Sequence, residues 1–139
     1  MNSIETQFVI QQAALTQRLI KRIESQLGIH GISFSEYMIM YALDSAPRQT
    51  MRRIELAEAV GLTASGVTRL LAPMEKIKLV EKEANPRDAR VSLVKLSIPG
   101  KSLFEDASIS FAHAAKSLTE KLNTVQLKKM MGFSVQMMS

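Results

Sequence analysis

The chain has 139 residues, 46% hydrophobic and 22% charged, with a formal net charge of +5. That length suits one folding unit, completed by a second copy in a dimer, and the composition excludes a disordered or fibrous chain. The absence of cysteine excludes disulfides, thiolate metal sites and thiol redox sensing.

The opening residues MNSIETQFVI lack the basic start and apolar core of a secretory signal. No apolar run approaches the ~20 residues that span a bilayer, so the expected setting is the cytoplasm, with no membrane partner. Aromatics are only 5% of the chain, which makes base stacking a poor binding mode. The positive charge is concentrated: residues 48–95 carry ten Lys and Arg against six Asp and Glu, whereas residues 1–47 carry three against four. A localised basic surface points to a polyanionic partner.

Ile4, Phe8, Leu15, Leu19, Ile23 and Leu27 fall mostly four or seven apart, which predicts an amphipathic helix ending near Gly28. In SFSEYMIMYALDSAP, Ser33 and Glu36 have capping-box spacing and the helix closes before Pro47. Its apolar residues from Tyr37 to Leu43 cover every face, so it is expected to be deeply buried.

LAEAVGLTASGVTRLL, residues 56–71, keeps helical spacing through Leu56, Val60, Val67, Leu70 and Leu71 but is broken at Gly61. Two short helices crossing steeply need a tight turn with one positive φ, which glycine adopts without a Cβ clash. Ala57 supplies the small contact between the helices, and the whole reads as a helix-turn-helix. Thr63 is placed to cap the second helix, whose N-terminus then favours a phosphate. Ala64, Ser65, Thr68 and Arg69 face outward, small or hydrogen-bonding, as a helix entering a DNA major groove requires.

LVEKEA (79–84) and ARVSLVKLS (89–97) flank NPRD and predict a β-hairpin. Val91 and Leu93 share one face while Val94 and Leu96 share the other, which calls for a bulge or partial cover on both sides. Arg87 and Arg90 cluster at the tip, suited to the narrow, electronegative minor groove, with Asp88 able to orient Arg90. Ser97 and Pro99 then suit the start of a long helix carrying Phe104, Ala107, Phe111, Ala115, Leu118 and Leu122. Thr124 is expected to cap a last helix with Leu127, Met130, Met131, Ser134 and Met138.

Other chemistries find no support. Gly61 to Thr68 resembles a phosphate loop only in spacing, since Val67 stands where that motif needs lysine. His30 and His113 are far apart without acidic neighbours at ligand spacing, so no metal site is expected. There is no nucleophile motif, and Glu105 and Asp106 are adjacent and point to different faces of a helix; no catalytic residues and no cofactor are expected. Nine methionines fit plain core packing. Phe34, Tyr37, Met38 and Tyr41 on the second helix either line a ligand pocket or fill the core.

LAEAVGLTASGVTRLL followed by MEKIKLVEKEANPRDARVSLVKLS resembles the MarR family of winged-helix transcriptional regulators, and Asp88-Ala89-Arg90 stands where that family has its Asp-x-Arg wing. The likeness runs nearly end to end. It implies a single domain over residues 1–139, mainly α with a small β-hairpin. Within it, the winged helix-turn-helix covers about 33–97, and dimerisation helices cover about 4–27 and 98–138. It further implies a homodimeric repressor of double-stranded DNA, released by a small aromatic or anionic ligand. Thr63, Ala64, Ser65, Thr68 and Arg69 would face the major groove and Arg87 and Arg90 would serve the wing. A winged-helix module that docks on protein, or a DNA-binding regulator that answers to no ligand, are the alternative readings.

Three residues depart from the family pattern. Gly66 replaces a small hydroxyl residue or alanine, Pro73 lies inside the second helix of the motif, and Lys78 stands where a turn glycine is common. Gly66 and Pro73 together predict a less rigid reading helix.

Overall fold

The first helix, α1 (Ile4–Leu27), starts at Ser3, whose hydroxyl accepts from the Thr6 N–H at 3.1 Å. The computed structural model describes residues 3–139. A 3-10 turn over Gly28–His30 leads to α2 (Phe34–Ser45), which carries the full capping box of Ser33 and Glu36. A second 3-10 turn, Pro47–Gln49, enters the three-residue strand β1 (Thr50–Arg52). Then come α3 (Arg53–Val60), α4 (Ala64–Lys76), β2 (Val80–Ala84), β3 (Ser92–Leu96), α5 (Ile98–Leu118) and α6 (Thr124–Met138).

The sheet has three antiparallel strands in the order β1-β3-β2, one more than the hairpin read from the sequence. β1 pairs Thr50 with Lys95 and Arg52 with Leu93, covering the outer edge of β3. The β2–β3 register runs unbroken from Val80 opposite Leu96 to Ala84 opposite Ser92, so no bulge intervenes. Val91 lies outside β3. Val94 and Leu96 are buried on one face, while Leu93 is only half-buried on the other.

The core gathers Leu27, Ile39, Met40 and Leu43 against Leu56, Val67, Leu71 and Met74, all fully buried, with Val80 and Val94 closing the sheet side. Burying each such side chain contributes about 1.5–3 kcal/mol. α2 is the central element, packing on α3, α4, α5 and β3. It is not covered all round, however: Tyr41 is 53% exposed.

The outer helices depart further from expectation. Of the predicted α1 stripe only Ile23 and Leu27 are buried, while Ile4, Phe8 and Leu15 are exposed. α6 buries nothing within the chain, and Met130, Met131, Met137 and Met138 are all exposed, so core packing accounts for Met40 and Met74 but not for these four. α6 is capped by Asn123, not Thr124: its side chain accepts from Gln126 N–H at 2.9 Å, and the Gln126 side chain accepts in return from Asn123 N–H. Leu122 lies beyond the end of α5, in the turn before α6.

Lys78 closes α4 in the left-handed region, at φ 63°. Its N–H donates to the Glu75 carbonyl and the Leu79 N–H to the Met74 carbonyl, the bonding pattern of a left-handed helix stop. A side chain there carries a local penalty that glycine avoids. Lys78→Gly is therefore expected to stabilise the chain by about 0.5–1 kcal/mol, read as a higher urea midpoint with unchanged slope. A lowered midpoint would show that the lysine side chain contributes more than its backbone costs.

Candidate nucleic-acid interface

α3 stops at Gly61 in the left-handed conformation, φ 69°, with the Leu62 N–H bonded back to the Ala57 carbonyl at 2.9 Å. This is the turn that the sequence break predicts. Two residues on, Thr63 caps α4: its Oγ1 accepts from the Gly66 N–H at 3.0 Å and lies 3.2 Å from Ser65 Oγ. A Cβ at position 66 would come within 3.1 Å of that capping oxygen, so glycine leaves the cap undisturbed.

The faces of α4 separate cleanly. Val67, Leu71 and Met74 point into the core, while Thr63, Ala64, Ser65, Thr68 and Arg69 are exposed together along the N-terminal half. The helix continues through Pro73 to Lys76, so the proline does not end it early. Pro73 occupies an exposed position in the last turn, where only one helical N–H is lost.

The wing is the loop 85–91 between β2 and β3. Asn85, which the sequence reading left without a role, organises it: its side chain accepts from the Arg87 N–H at 2.9 Å and its carbonyl from the Asp88 N–H at 3.2 Å. An Asn ahead of a proline in a turn cluster was the available signal for this. Asp88 takes the Arg90 N–H at 3.0 Å and both Nε and Nη2 of the guanidinium at 3.1 and 3.4 Å. The expected orienting pair therefore forms, and those two bonds, side chain first and backbone second, hold the Asp88 carboxyl below its ordinary range. The Arg90 side chain itself is 91% exposed.

Among the described residues, neither Arg69 nor Arg87 has an intramolecular ion pair. The ion pair that does brace the motif is Arg53 to Glu75, at 2.9 Å and mostly buried, tying the start of α3 to the last turns of α4. The sequence gives no periodicity that connects those two positions.

The four aromatic and thioether residues of α2 do not converge on one space. Tyr37 is buried, stacks on Phe111 at 4.6 Å and meets Phe104 at 5.2 Å, with its hydroxyl 3.0 Å from Ser108 Oγ. Burial pushes its phenol pKa up. Phe34 stacks more loosely on Phe111, at 6.5 Å. Met38 and Tyr41 instead line a cleft of about 420 Å³ with Ala42, Pro47, Met51 and Ala59. His30 Nε2 is 2.8 Å from Ser110 Oγ, a satisfied polar contact between the first 3-10 turn and α5.

A three-stranded wing beside a helix-turn-helix, flanked by long helices from both ends of the chain, defines a winged-helix protein. Residues 30–91 match the model of the MarR family. The HTH-type transcriptional regulator YhbI of Bacillus subtilis is 26% identical over 115 residues, covering 83% of this chain and 73% of that protein. Sco3205, a MarR-family regulator from Streptomyces coelicolor solved in complex with DNA, superposes with a TM-score of 0.87 at 22% identity, covering 99% of this chain and 88% of that one. BpsR of Bordetella bronchiseptica, whose DNA binding is regulated by 6-hydroxynicotinic acid, superposes at 0.88 with 16% identity, over 100% and 98% of the two chains. Residues 30–91 therefore match the MarR family of winged-helix transcriptional regulators, and the chain as a whole shares the fold of solved members of that family.

Proposed function

We propose that this chain is a homodimeric, sequence-specific reader of double-stranded DNA that acts as a cytoplasmic repressor. α4 would enter the major groove with Thr63, Ala64, Ser65, Thr68 and Arg69, and the wing would reach the neighbouring minor groove with Arg87 and Arg90. The observation that carries this reading is the face of α4: five short or hydrogen-bonding side chains, jointly exposed next to a wing whose terminal guanidinium is already oriented. The basic excess of residues 48–95 supports it, as does the DNA bound to Sco3205.

Dimerisation is supported by the apolar residues left uncovered on α1 and α6, among them Ile4, Phe8, Met131 and Phe133. Phe8 and Phe133 line one groove with Met130 and Met137, and an exposed apolar surface of that kind favours a partner. Release by a small aromatic acid is supported by BpsR, and Met38 and Tyr41 are the residues of this chain placed at a cleft that such a ligand could enter.

Selection of random duplex DNA by the purified protein at moderate salt tests the reading. The expected product is an inverted repeat with half-sites about one helical turn apart. No enrichment, with DNA retained only at low salt, would replace it by a non-specific binder or a protein-docking module.

A further inference from the structure

Ser97 is the one buried polar residue among those described. Its hydroxyl hydrogen is shared between the carbonyls of Lys78 at 2.6 Å and Leu79 at 2.9 Å, and its oxygen accepts the Gly100 N–H at 2.9 Å. Its own N–H also donates to the Leu79 carbonyl, at 3.1 Å. Gly100 is buried against the same carbonyl: a Cβ there would overlap the Leu79 oxygen and lie 2.9 Å from its carbonyl carbon. The first turn of α5 is thus seated on Lys78 and Leu79, the last two residues of the turn that joins α4 to β2.

This junction is the direct link between the reading helix and the long helix. α5 packs broadly on α1 and α2 but shares no such face with α4 or β2. The other route, through the α2 core, depends on side-chain packing. The junction joins backbones, with Lys78 held at positive φ in its middle.

We propose that Ser97 and Gly100 are positioning residues for DNA recognition, fixing the angle of each reading helix to α5 and hence the separation of the two reading helices in the homodimer. The proposal rests on the functional reading above. Reading a duplex needs groups held to within about 0.5 Å and 10–20°, a tolerance that a single loosened backbone hinge exceeds.

Because the chain has no cysteine, Thr68→Cys places one nitroxide label on each α4, and pulsed dipolar electron resonance measures their separation in the dimer. A single narrow distance is expected, broadened about twofold by Ser97→Ala and left unchanged by Ser33→Ala, which removes the α2 cap by the same chemical change. On selected duplexes without the label, shifting the half-sites apart by one base pair is expected to weaken binding about tenfold in the parent and less than threefold in Ser97→Ala. Parental width or parental spacing preference in Ser97→Ala overturns the proposal. So does a broad distribution in the parent. Ser97→Gly, milder because glycine is tolerated at a helix N-cap, guards against misfolding; loss of the cooperative melt in both variants would make the junction merely structural and also overturn the proposal. If the parent binds no duplex, the DNA-reading assignment fails, while the label distances still decide what the junction does.

Discussion

Gly100→Ala is expected to lower the melting temperature by about 10 °C or more at fixed protomer concentration, corresponding to a loss of about 3 kcal/mol. The cause is specific. The added methyl would meet the Leu79 carbonyl oxygen and carbon and, at 3.0 Å, the Ser97 hydroxyl, and the Leu79 carbonyl is not free to move. The Leu79 carbonyl is fixed by bonds from Ser97 N and Oγ, and Leu79 itself is buried. Any shift that accommodates the methyl must therefore strain those bonds, whereas an overpacked side chain can change rotamer. Gly28→Ala supplies the contrast, because Gly28 is right-handed helical at φ −57° and an added Cβ there meets nothing within 4 Å. That substitution is expected to be neutral or to stabilise by up to about 1 kcal/mol, through the less flexible unfolded chain. Melting by circular dichroism at matched concentration checks both. A Gly100→Ala protein that melts with the parent would show that the α5 start slides freely over Leu79, contrary to the hydrogen bonds seen there.

The parts of this arrangement legible in the sequence are those with local causes. Gly61 announces its turn because only a positive φ explains a glycine between two apolar-periodic segments, and its φ of 69° agrees. The exposed set on α4 follows from Val67 and Leu71 being four apart, which fixes the opposite face as well. Lys78 stands where a turn glycine is common, and it adopts that turn's conformation without being glycine. What could not be read depends on distant partners. β1 is three residues long and has no pattern of its own; it is a strand because Met51 lies opposite Val94. It is reached through Arg48 and Gln49, both at positive φ, which no turn residue in the sequence signals. The pairing of Arg53 with Glu75 joins positions 22 apart and is set by the helix crossing rather than by spacing.

The apolar periodicity of α1 and α6 was also legible, but the spacing by itself did not say what it packs against, and only the family resemblance implied a dimerisation role. Spacing states that a face avoids water without saying what covers it. Ile23 and Leu27 turn toward the chain's own core, whereas Phe8, Met131 and Phe133 stay exposed within one chain. The same signal thus marks a core at one end of α1 and an uncovered apolar face at the other. For four methionines that distinction reverses the reading, because they sit at helical spacing on a helix that buries nothing within its own chain.

Arg69→Ala and Arg90→Ala are expected to weaken DNA binding in different ways, and the difference separates base reading from backbone positioning. Arg69 is exposed on the face of α4 with Thr68 and Ser65 and has no ion pair among the described residues, so its guanidinium is available to a base edge. Its loss is expected to cost about 1–3 kcal/mol on the preferred duplex, roughly 10- to 100-fold, and to relax preference at one position of each half-site. Arg90 is held by Asp88 on a loop ordered by Asn85, a geometry suited to following a narrow groove between phosphates. Its loss is expected to weaken all duplexes alike and to reduce the salt slope by about one per site. The brace also sets a pH range. Because the folded Asp88 carboxyl is held below its ordinary value, the pair is complete above the ordinary carboxylate range and is lost only as pH falls through that lowered value. Between pH 5 and 8 the contribution of Arg90 should therefore be constant. Titration of binding against salt, on duplexes altered one base pair at a time, distinguishes the two arginines. An unchanged slope with altered sequence preference in Arg90→Ala would move that residue from the phosphates to the floor of the groove.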